Sequence, residues 1–508
     1  MLIRLTLILA CLVLTSPAFT AQEKTESNTA PEKTSKVEPK EEIVTTSHKV
    51  SIGGKEISYQ ATVGTQFLSE CQGDPKALIF YVAYTRDDIA DKGNRPITFC
   101  FNGGPGAASV WLHLGMIGPK RVDIDEQGFQ AKHPYNLKDN PYSLLDISDL
   151  VFIDPISTGY SRACPVENEK QYHNFDKDIQ SIAEFIRVYI TRNERWSSPK
   201  FLAGESYGTT RAAGLSLELH DNQHIDLAGV ILVSCVLNFQ TINFNSGNDL
   251  PYILFLPSYT QAALYHGKLD AELQKDPQKT IEEVKEFAYS DYAHALEMGS
   301  NIRPEELKAT VDKLSRYTGI SPDYIEKSCL RLHIFRFAKE LLKDQNRTIG
   351  RFDSRIKGYD SDLCNDIFEY DPSLDNILGL FTATFNEYVR TDLKWKRDDE
   401  YRVLADVHPW DFGDAKNQYL NVSDKLCGVM AKNPSMKVFV ASGNTDLATP
   451  FFATEYTFSH LGLNSLLKDR VSLKNYEGGH MMFLNYPSLI RLKSDLTEFI
   501  QNKPNKNP

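Results

Sequence analysis

The sequence lacks the features by which membrane-spanning, nucleic-acid-binding and metal-binding proteins are usually identified. Outside residues 5–14 it has no long apolar run, and because a bilayer span needs about 20 apolar residues, we expect no membrane span. The 56 Lys and Arg are outnumbered by 67 Asp and Glu, so the net charge is −11 and we expect no nucleic-acid partner. His220 and His224 have the spacing of one helix face but fall at a predicted helix end, so we expect them to be solvated and to bind no metal. No cofactor is expected either.

Cysteine is also scarce, with 8 in 508 residues. Cys11 lies in the N-terminal apolar run, so an odd number remains and at least one thiol stays unpaired within the chain. Cys100 and Cys235 fall in predicted buried strands, where cysteine acts as a small core residue. Cys329 and Cys364 lie in one predicted region, and we hypothesise that they form a disulfide.

The N-terminus has the pattern of an export signal. Arg4 precedes the apolar run at 5–14, and small residues around 17–21 suit cleavage, so the sequence predicts a signal peptide over 1–21. Residues 22–48 are mostly Glu, Lys, Thr, Ser and Pro, which is typical of a disordered linker. We therefore expect a secreted or periplasmic protein.

Apolar strand-like runs alternate with helical patterns through most of the remaining chain. Continuous apolar runs are typical of strands buried on both faces, and alternation with helices predicts a mostly parallel central sheet flanked by helices. We assign residues 49–240 and 379–505 to the two parts of this α/β core. The predicted strands are residues 57–67, 77–85, 96–101, 149–154, 201–203, 228–235, 437–442 and 470–476, and the clearest helices are 175–195 and 486–500.

Residues 241–378 differ in character from both flanking parts. They are charged, rich in tyrosine and helical in pattern over 271–296, 304–317 and 322–342, with no clear buried strand. The sequence therefore predicts a helical insertion, or cap domain, which we expect to roof the pocket and set side-chain preference.

The motif Gly-Glu-Ser-Tyr-Gly at 204–208 joins the strand 201–203 to a helix-forming stretch at 209–219. Gly-x-Ser-x-Gly between a strand and a helix is the pattern of a nucleophile elbow, a turn so tight that it strains the serine backbone. The helix N-terminus beneath the serine favours developing negative charge. We predict that Ser206 is a nucleophile.

A serine nucleophile needs a base and an orienting acid, which in this topology follow it in the order acid, then histidine. Asp446 comes after the strand 437–442, and His480 comes after the strand 470–476. The sequence predicts Asp446 as the acid and His480 as the base, with Asp414 and Glu477 as competing acids.

A tetrahedral intermediate also needs two backbone N–H donors. Tyr207 follows the nucleophile directly, and a second donor is expected from the loop Asn-Gly-Gly-Pro-Gly at 102–106, which follows the strand 96–101. In that loop, Gly103 and Gly104 leave room for the backbone of a substrate.

Four motifs together resemble the serine carboxypeptidase family: the loop at 102–106, the elbow at 204–208, Asp446, and Gly-Gly-His-Met at 478–481. The resemblance extends over most of the chain after the linker. It implies the α/β-hydrolase fold and removal of single amino acids from peptide C-termini through an acyl-enzyme. It also implies a triad of Ser206, Asp446 and His480.

The same resemblance assigns further roles. Gly104 and Tyr207 would be the oxyanion donors, and Met481 would line the pocket of the leaving residue. Asn102 and Glu205 would hold the C-terminal carboxylate of the substrate, since an amide donates to a carboxylate and a glutamate does so when protonated. The expected partners are peptides with a free C-terminus, and the sequence leaves monomer and homodimer open.

The chain departs from the family pattern at Met116. The family often has a Glu at this position that shares a proton with the Glu beside the nucleophile, whereas here Glu205 lacks that partner. Alternatives therefore remain: an esterase or acyltransferase that uses the same triad, or a noncatalytic protein that uses the cleft for binding.

Overall fold

The computed structural model describes residues 40–69, 75–362, 364–365, 367–462 and 468–501. The predicted signal peptide and the linker up to residue 39 lie outside these residues. The linker prediction is wrong for its last part, because strand β1 begins at Ile43 and pairs along its whole length with the next strand. Val50 and Ile52 bury one face of this strand against the core, although its first half reads as polar.

The main sheet has the order β1-β2-β3-β7-β4-β9-β10-β13-β14, with β8 paired to β3. Its first three strands are antiparallel to their neighbours, and β7, β4, β9, β10, β13 and β14 run parallel. The strands are β1 (Ile43–Ile52), β2 (Lys55–Ser69), β3 (Pro75–Arg86), β4 (Ile97–Phe101), β5 (Lys120–Val122), β6 (Leu137–Asp139), β7 (Asp149–Ile153), β8 (Arg162–Ala163), β9 (Lys200–Glu205), β10 (Gly229–Val233), β11 (Thr348–Ile349), β12 (Lys357–Gly358), β13 (Lys437–Gly443) and β14 (Val471–Tyr476). The prediction of a mostly parallel sheet is confirmed.

Helices cover both faces of this sheet, and further helices form the insertion. They are α1 (Val110–Leu112), α2 (Phe175–Arg192), α3 (Tyr207–Gln223), α4 (Leu250–Tyr265), α5 (Ala271–Gln274), α6 (Pro277–Phe287), α7 (Ala293–Met298), α8 (Pro304–Thr318), α9 (Pro322–Lys327), α10 (Ile334–Glu340), α11 (Pro372–Thr391), α12 (Ser423–Lys432), α13 (Phe451–Ser459) and α14 (Tyr486–Gln501). One apolar core joins the sheet to α2, α3 and α12, and a second joins it to α11 and α14. Every residue of β4, β7, β9 and β10 is buried, as two covered faces require.

The insertion is helical as predicted, with differences in detail. The stretch 322–342 forms two helices, α9 and α10, where one was predicted, and β11 and β12 pair as a small ribbon where no strand was expected. Helix α11 runs across the predicted boundary at residue 378, and its apolar side joins the core of the sheet. The apolar core of the insertion continues into α13 through Phe451 and Phe452.

The cysteine predictions have mixed outcomes. Cys100 and Cys235 are buried, as expected of core residues. The predicted disulfide is wrong, because Cys329 and Cys364 are both free and exposed. Among the described helices, none has both the length and the apolar character needed to cross a bilayer.

Candidate active site

Ser206 occupies a strained turn between β9 and α3. Its φ is +60° and its ψ is −130°, a backbone conformation that residues other than glycine rarely adopt. A Cβ on Gly204 would collide with the carbonyl of Gly208, and a Cβ on Gly208 would lie 2.8 Å from the carbonyl oxygen of Phe101. The two glycines thus let the turn, the helix and β4 approach one another, which leaves Ser206 half-buried among buried neighbours.

Asp446 and His480 meet in the loops that follow β13 and β14. The Nδ1 atom of His480 lies 2.8 Å from Oδ2 of Asp446, and both side chains are buried. The side chains of Asp414 and Glu477, the competing acids, are exposed. The structure therefore brings His480 to Asp446.

Both oxygens of the Asp446 carboxylate accept hydrogen bonds. Its Oδ1 accepts the backbone N–H of Ala448 at 2.7 Å and of Thr449 at 3.0 Å. Its Oδ2 accepts the Thr449 hydroxyl at 2.8 Å as well as the imidazole of His480. A carboxylate has about four acceptor positions, so the orientation of Asp446 is fixed.

The environment of His480 favours its charged form. Burial lowers the pKa of His480. The charge and hydrogen bond of Asp446, together with the charge of Glu205, raise it by more, so the pKa lies above its usual value. Its Nε2 atom is buried and has no hydrogen-bond partner among the described residues. With Nδ1 engaged by Asp446, Nε2 is the nitrogen that can accept a proton.

Asn102 and Glu205 form a buried pair beside the elbow. The Asn102 side-chain amide donates to Oε2 of Glu205, and its oxygen accepts the backbone N–H of Leu112 at 3.0 Å. Arg211, which pairs with Asp178 at 2.8 Å, donates to the carbonyl oxygen of Asn102. The position of Asn102 is therefore fixed from three sides.

Glu205 is a buried carboxyl with one unsatisfied oxygen. Burial raises its pKa to about 7, with Asp446 acting in the same direction and His480 and Asn102 opposing it. Its Oε1 has no hydrogen-bond partner among the described residues. Met116, at the position where the resemblance implies a second carboxyl, is itself buried in the apolar core.

The glycine loop lies against the start of α3. A Cβ on Gly103 would collide with the backbone nitrogen of Tyr207 and lie 2.6 Å from that of Gly208. Gly104 has a φ of +98°, in the region that glycine favours. The loop and the helix N-terminus thus bring backbone amides together, as an oxyanion site requires. Met481, the residue after His480, is half-buried at the edge of the core.

Sequence reasoning missed the insertion segment at 351–355, which contacts both loops of the Asp446–His480 pair. The carbonyl oxygen of Phe352 accepts the backbone N–H of His480, and the Phe352 ring lies 4.8 Å from the imidazole. The Thr445 hydroxyl donates to Asp353 at 2.9 Å, and the N–H of Ser354 donates to the carbonyl of Thr445 at 3.0 Å. No periodic pattern marks these residues, because they form the loop between the short strands β11 and β12.

Residues 65–482 match a family model described as serine carboxypeptidase. The chain is 23% identical over 453 residues to serine carboxypeptidase-like 31 of Arabidopsis thaliana, which covers 81% of this chain and 76% of that protein. It is 28% identical over 134 residues to pheromone-processing carboxypeptidase kex1 of Schizosaccharomyces pombe, which covers 26% of this chain and 24% of that relative. The match to the KEX1 protein of Coprinopsis cinerea covers 20% of that protein. The chain therefore spans a quarter or less of the length of these two pheromone-processing relatives.

Among solved structures, the chain is similar to the crystal structure of Kex1(delta)p, a prohormone-processing carboxypeptidase from Saccharomyces cerevisiae. The match has a TM-score of 0.56 at 16% identity and covers 88% of this chain and 93% of that chain. At this level of identity the similarity concerns the fold, and the expected α/β-hydrolase architecture is confirmed.

Proposed function

This chain belongs to the serine carboxypeptidase family, and from that premise we propose that it hydrolyses the C-terminal peptide bond of peptides through an acyl-enzyme on Ser206. The observation that carries the proposal is the hydrogen bond between His480 and Asp446, with Nε2 of His480 left without a hydrogen-bond partner among the residues that the structure describes. A strained serine at an elbow and a buried His–Asp pair are the parts that acyl transfer needs.

In the proposed reaction, Ser206 attacks the last peptide carbonyl while Nε2 of His480 takes the hydroxyl proton. The negative charge near His480 that raises its pKa also stabilises the imidazolium that forms, and Asp446 keeps the ring oriented. The backbone N–H groups of Gly104 and Tyr207 stabilise the oxyanion. His480 then gives the proton to the nitrogen of the departing amino acid, and water repeats the steps to release the shortened peptide.

The substrate's C-terminal carboxylate is proposed to bind at Asn102 and Glu205, with Gly103 beside the substrate backbone and Met481 lining the pocket of the leaving residue. The pKa of Glu205 near 7 supports this role, since the protonated acid can donate from Oε1, which accepts or donates no hydrogen bond within the described ranges. Above that pH, the same oxygen carries negative charge and repels a carboxylate.

Export is a second part of the proposal. The apolar run at 5–14 and the small residues at 17–21 support a cleaved signal and a secreted or periplasmic enzyme. A homodimer stays one of the two oligomeric states that the sequence allows.

The test uses one peptide in two forms, with a free C-terminus and with a C-terminal amide. We expect stepwise loss of residues from the free-acid form by mass spectrometry, and no loss with a Ser206→Ala variant. A fluorophosphonate probe should label the wild-type protein and not the variant. If the peptide remains intact in both forms while the probe labels Ser206, peptide hydrolysis is excluded and the triad serves another acyl transfer.

That second candidate is an esterase or acyltransferase with the same triad. The observation that favours it is the lone carboxyl of Glu205: its Oε1 has no hydrogen-bond partner in the described part of the chain, and Met116 supplies no second acid. Ester hydrolysis without peptide hydrolysis, or transfer of the acyl group to an added alcohol, would distinguish this candidate.

A further inference from the structure

Arg351 lies in the insertion segment that contacts both loops of the Asp446–His480 pair. Its carbonyl oxygen accepts the backbone N–H of Leu447, the residue after Asp446, at 3.0 Å. Its neighbour Phe352 lies against His480, and the Arg351 guanidinium is 5.2 Å from the centre of the Phe352 ring. The side chain is half-buried, so a positive charge stands where the insertion meets the catalytic loops.

The guanidinium of Arg351 makes no hydrogen bond or ion pair with any of the described residues. The negative charges of Asp371 and Asp446 act on the guanidinium, but both carboxylates accept hydrogen bonds from other donors. The carboxylate of Asp446 accepts hydrogen bonds from Ala448, Thr449 and His480.

Asp371 is taken up by backbone and hydroxyl donors. It accepts the backbone N–H groups of Arg351 and Phe352, each at 3.2 Å, and both the N–H and the hydroxyl of Ser373. A cation that is partly withdrawn from water and lacks a protein anion is stabilised when a ligand supplies one. The guanidinium is a planar fork that matches a carboxylate with two parallel hydrogen bonds.

The charge of Arg351 also reaches the imidazole. Burial is the largest influence on the pKa of His480, and among the charged groups Asp446 and Glu205 raise that pKa while Arg351 lowers it. The guanidinium therefore lies within electrostatic range of the group that protonates the leaving amine.

We propose that Arg351 binds a carboxylate of the leaving residue, an inference that rests on the proposed carboxypeptidase function. In a C-terminal residue the α-carboxylate carbon is two bonds from the leaving nitrogen, about 2.5 Å away. A receptor for it must stand beside His480, which donates to that nitrogen. Asn102 and Glu205 offer this carboxylate hydrogen bonds but no positive charge, and Arg351 supplies the charge.

The carboxylate has two sources, the α-carboxylate of any C-terminal residue and the side chain of an acidic one. Three peptides that differ only at the end distinguish them: one ending in leucine, one in leucine amide and one in glutamate amide. The variants are Arg351→Gln, which removes the charge, and Arg351→Lys, which keeps charge without the fork. Arg303→Gln, at an exposed arginine of the same insertion paired with Glu306, is the matched control.

For an α-carboxylate, we expect Arg351→Gln to lower the ratio of kcat/KM for the free-acid peptide to that for leucine amide by about 10- to 100-fold, as loss of a charged hydrogen-bonded pair does. Arg351→Lys should retain part of the preference, and Arg303→Gln all of it. A loss confined to the glutamate amide would support the side-chain source. Equal losses on all three peptides would overturn the proposal and leave Arg351 a structural residue.

Binding to the Ser206→Ala protein by calorimetry separates this inference from the proposed function. If wild-type protein cleaves no peptide, the proposed function fails, but tighter binding of a carboxylate-bearing peptide that depends on Arg351 would still support the receptor. Binding unaffected by Arg351→Gln would overturn it. Melting temperatures establish that each variant is folded, and if Arg351→Gln is not, Arg351→Lys decides by the same ratios.

Discussion

The ring of Phe352 lies 4.8 Å from the imidazole of His480, and the backbone carbonyl of Phe352 accepts the backbone N–H of the same histidine. A residue of the insertion thus holds the proposed base at both its main chain and its side chain. The insertion therefore contacts the proposed base directly, through a backbone hydrogen bond and a ring contact.

We expect Phe352→Leu to lower kcat about 10-fold while KM changes little. The imidazole loses the aromatic ring that packs against it, so its orientation toward Ser206 is less well fixed. Steady-state kinetics on a free-acid peptide measure the two constants separately. Phe335→Leu is the matched control, since Phe335 is also half-buried in the insertion but contacts Phe368 and His333. A rise in KM alone would contradict a positioning role and indicate a substrate contact.

The segment around Phe352 shows what a single sequence does not reveal. The sequence patterns of β9, β13 and β14 predicted the strands, and with them the loops that carry Ser206, Asp446 and His480. The contact of Asp353 with Thr445 joins residues 92 positions apart and depends on the folded insertion. The sequence favoured Asp446 over Asp414 and Glu477 as the acid, but the contact of Asp446 with His480 is visible only in three dimensions.

The wrong prediction for residues 43–48 has a related cause. The burial pattern of β1 leaves its first half largely exposed, so Thr and Ser suit it and apolar periodicity is absent. Pairing with β2 makes it a strand. The context of a sheet edge therefore outweighs local composition.

The pKa of Glu205 leads to a prediction on pH. Below a pH of about 7, the carboxyl is protonated and can donate to the substrate carboxylate, whereas above it the charged form repels that group. We expect kcat/KM for free-acid peptides to fall as pH rises through this range, and peptide amides to show no such fall. Glu205→Gln keeps a neutral donor and should remove the descending limb. A limb that persists in Glu205→Gln would contradict this origin.

The same carboxyl should affect stability. The pKa of Glu205 is raised from 4.5 to about 7 in the folded protein, so the unfolded chain loses this proton at lower pH. Folding stability is therefore lost as pH rises from 4.5 to 7, by about 3 kcal/mol at 1.36 kcal/mol per pKa unit. Relative to wild type, Glu205→Gln should gain stability progressively over that interval, as measured by denaturant unfolding at pH 4.5, 6 and 8. A constant difference across the three values would contradict the linkage.

Two glycines with opposite surroundings test the packing of the elbow. A Cβ on Gly204 would collide with the backbone carbonyl of Gly208, so we expect Gly204→Ala to destabilise the protein by about 1–3 kcal/mol and to displace Ser206. Gly428 lies within α12 and a Cβ there would meet nothing within 4 Å, so Gly428→Ala should stabilise by up to about 1 kcal/mol through helix propensity. Denaturant unfolding measures both, and fluorophosphonate labelling reports on Ser206. Because both changes add one methyl group, an equal effect of the two on stability, or normal labelling in Gly204→Ala, would show that the close approach at Gly204 does not hold the nucleophile in place.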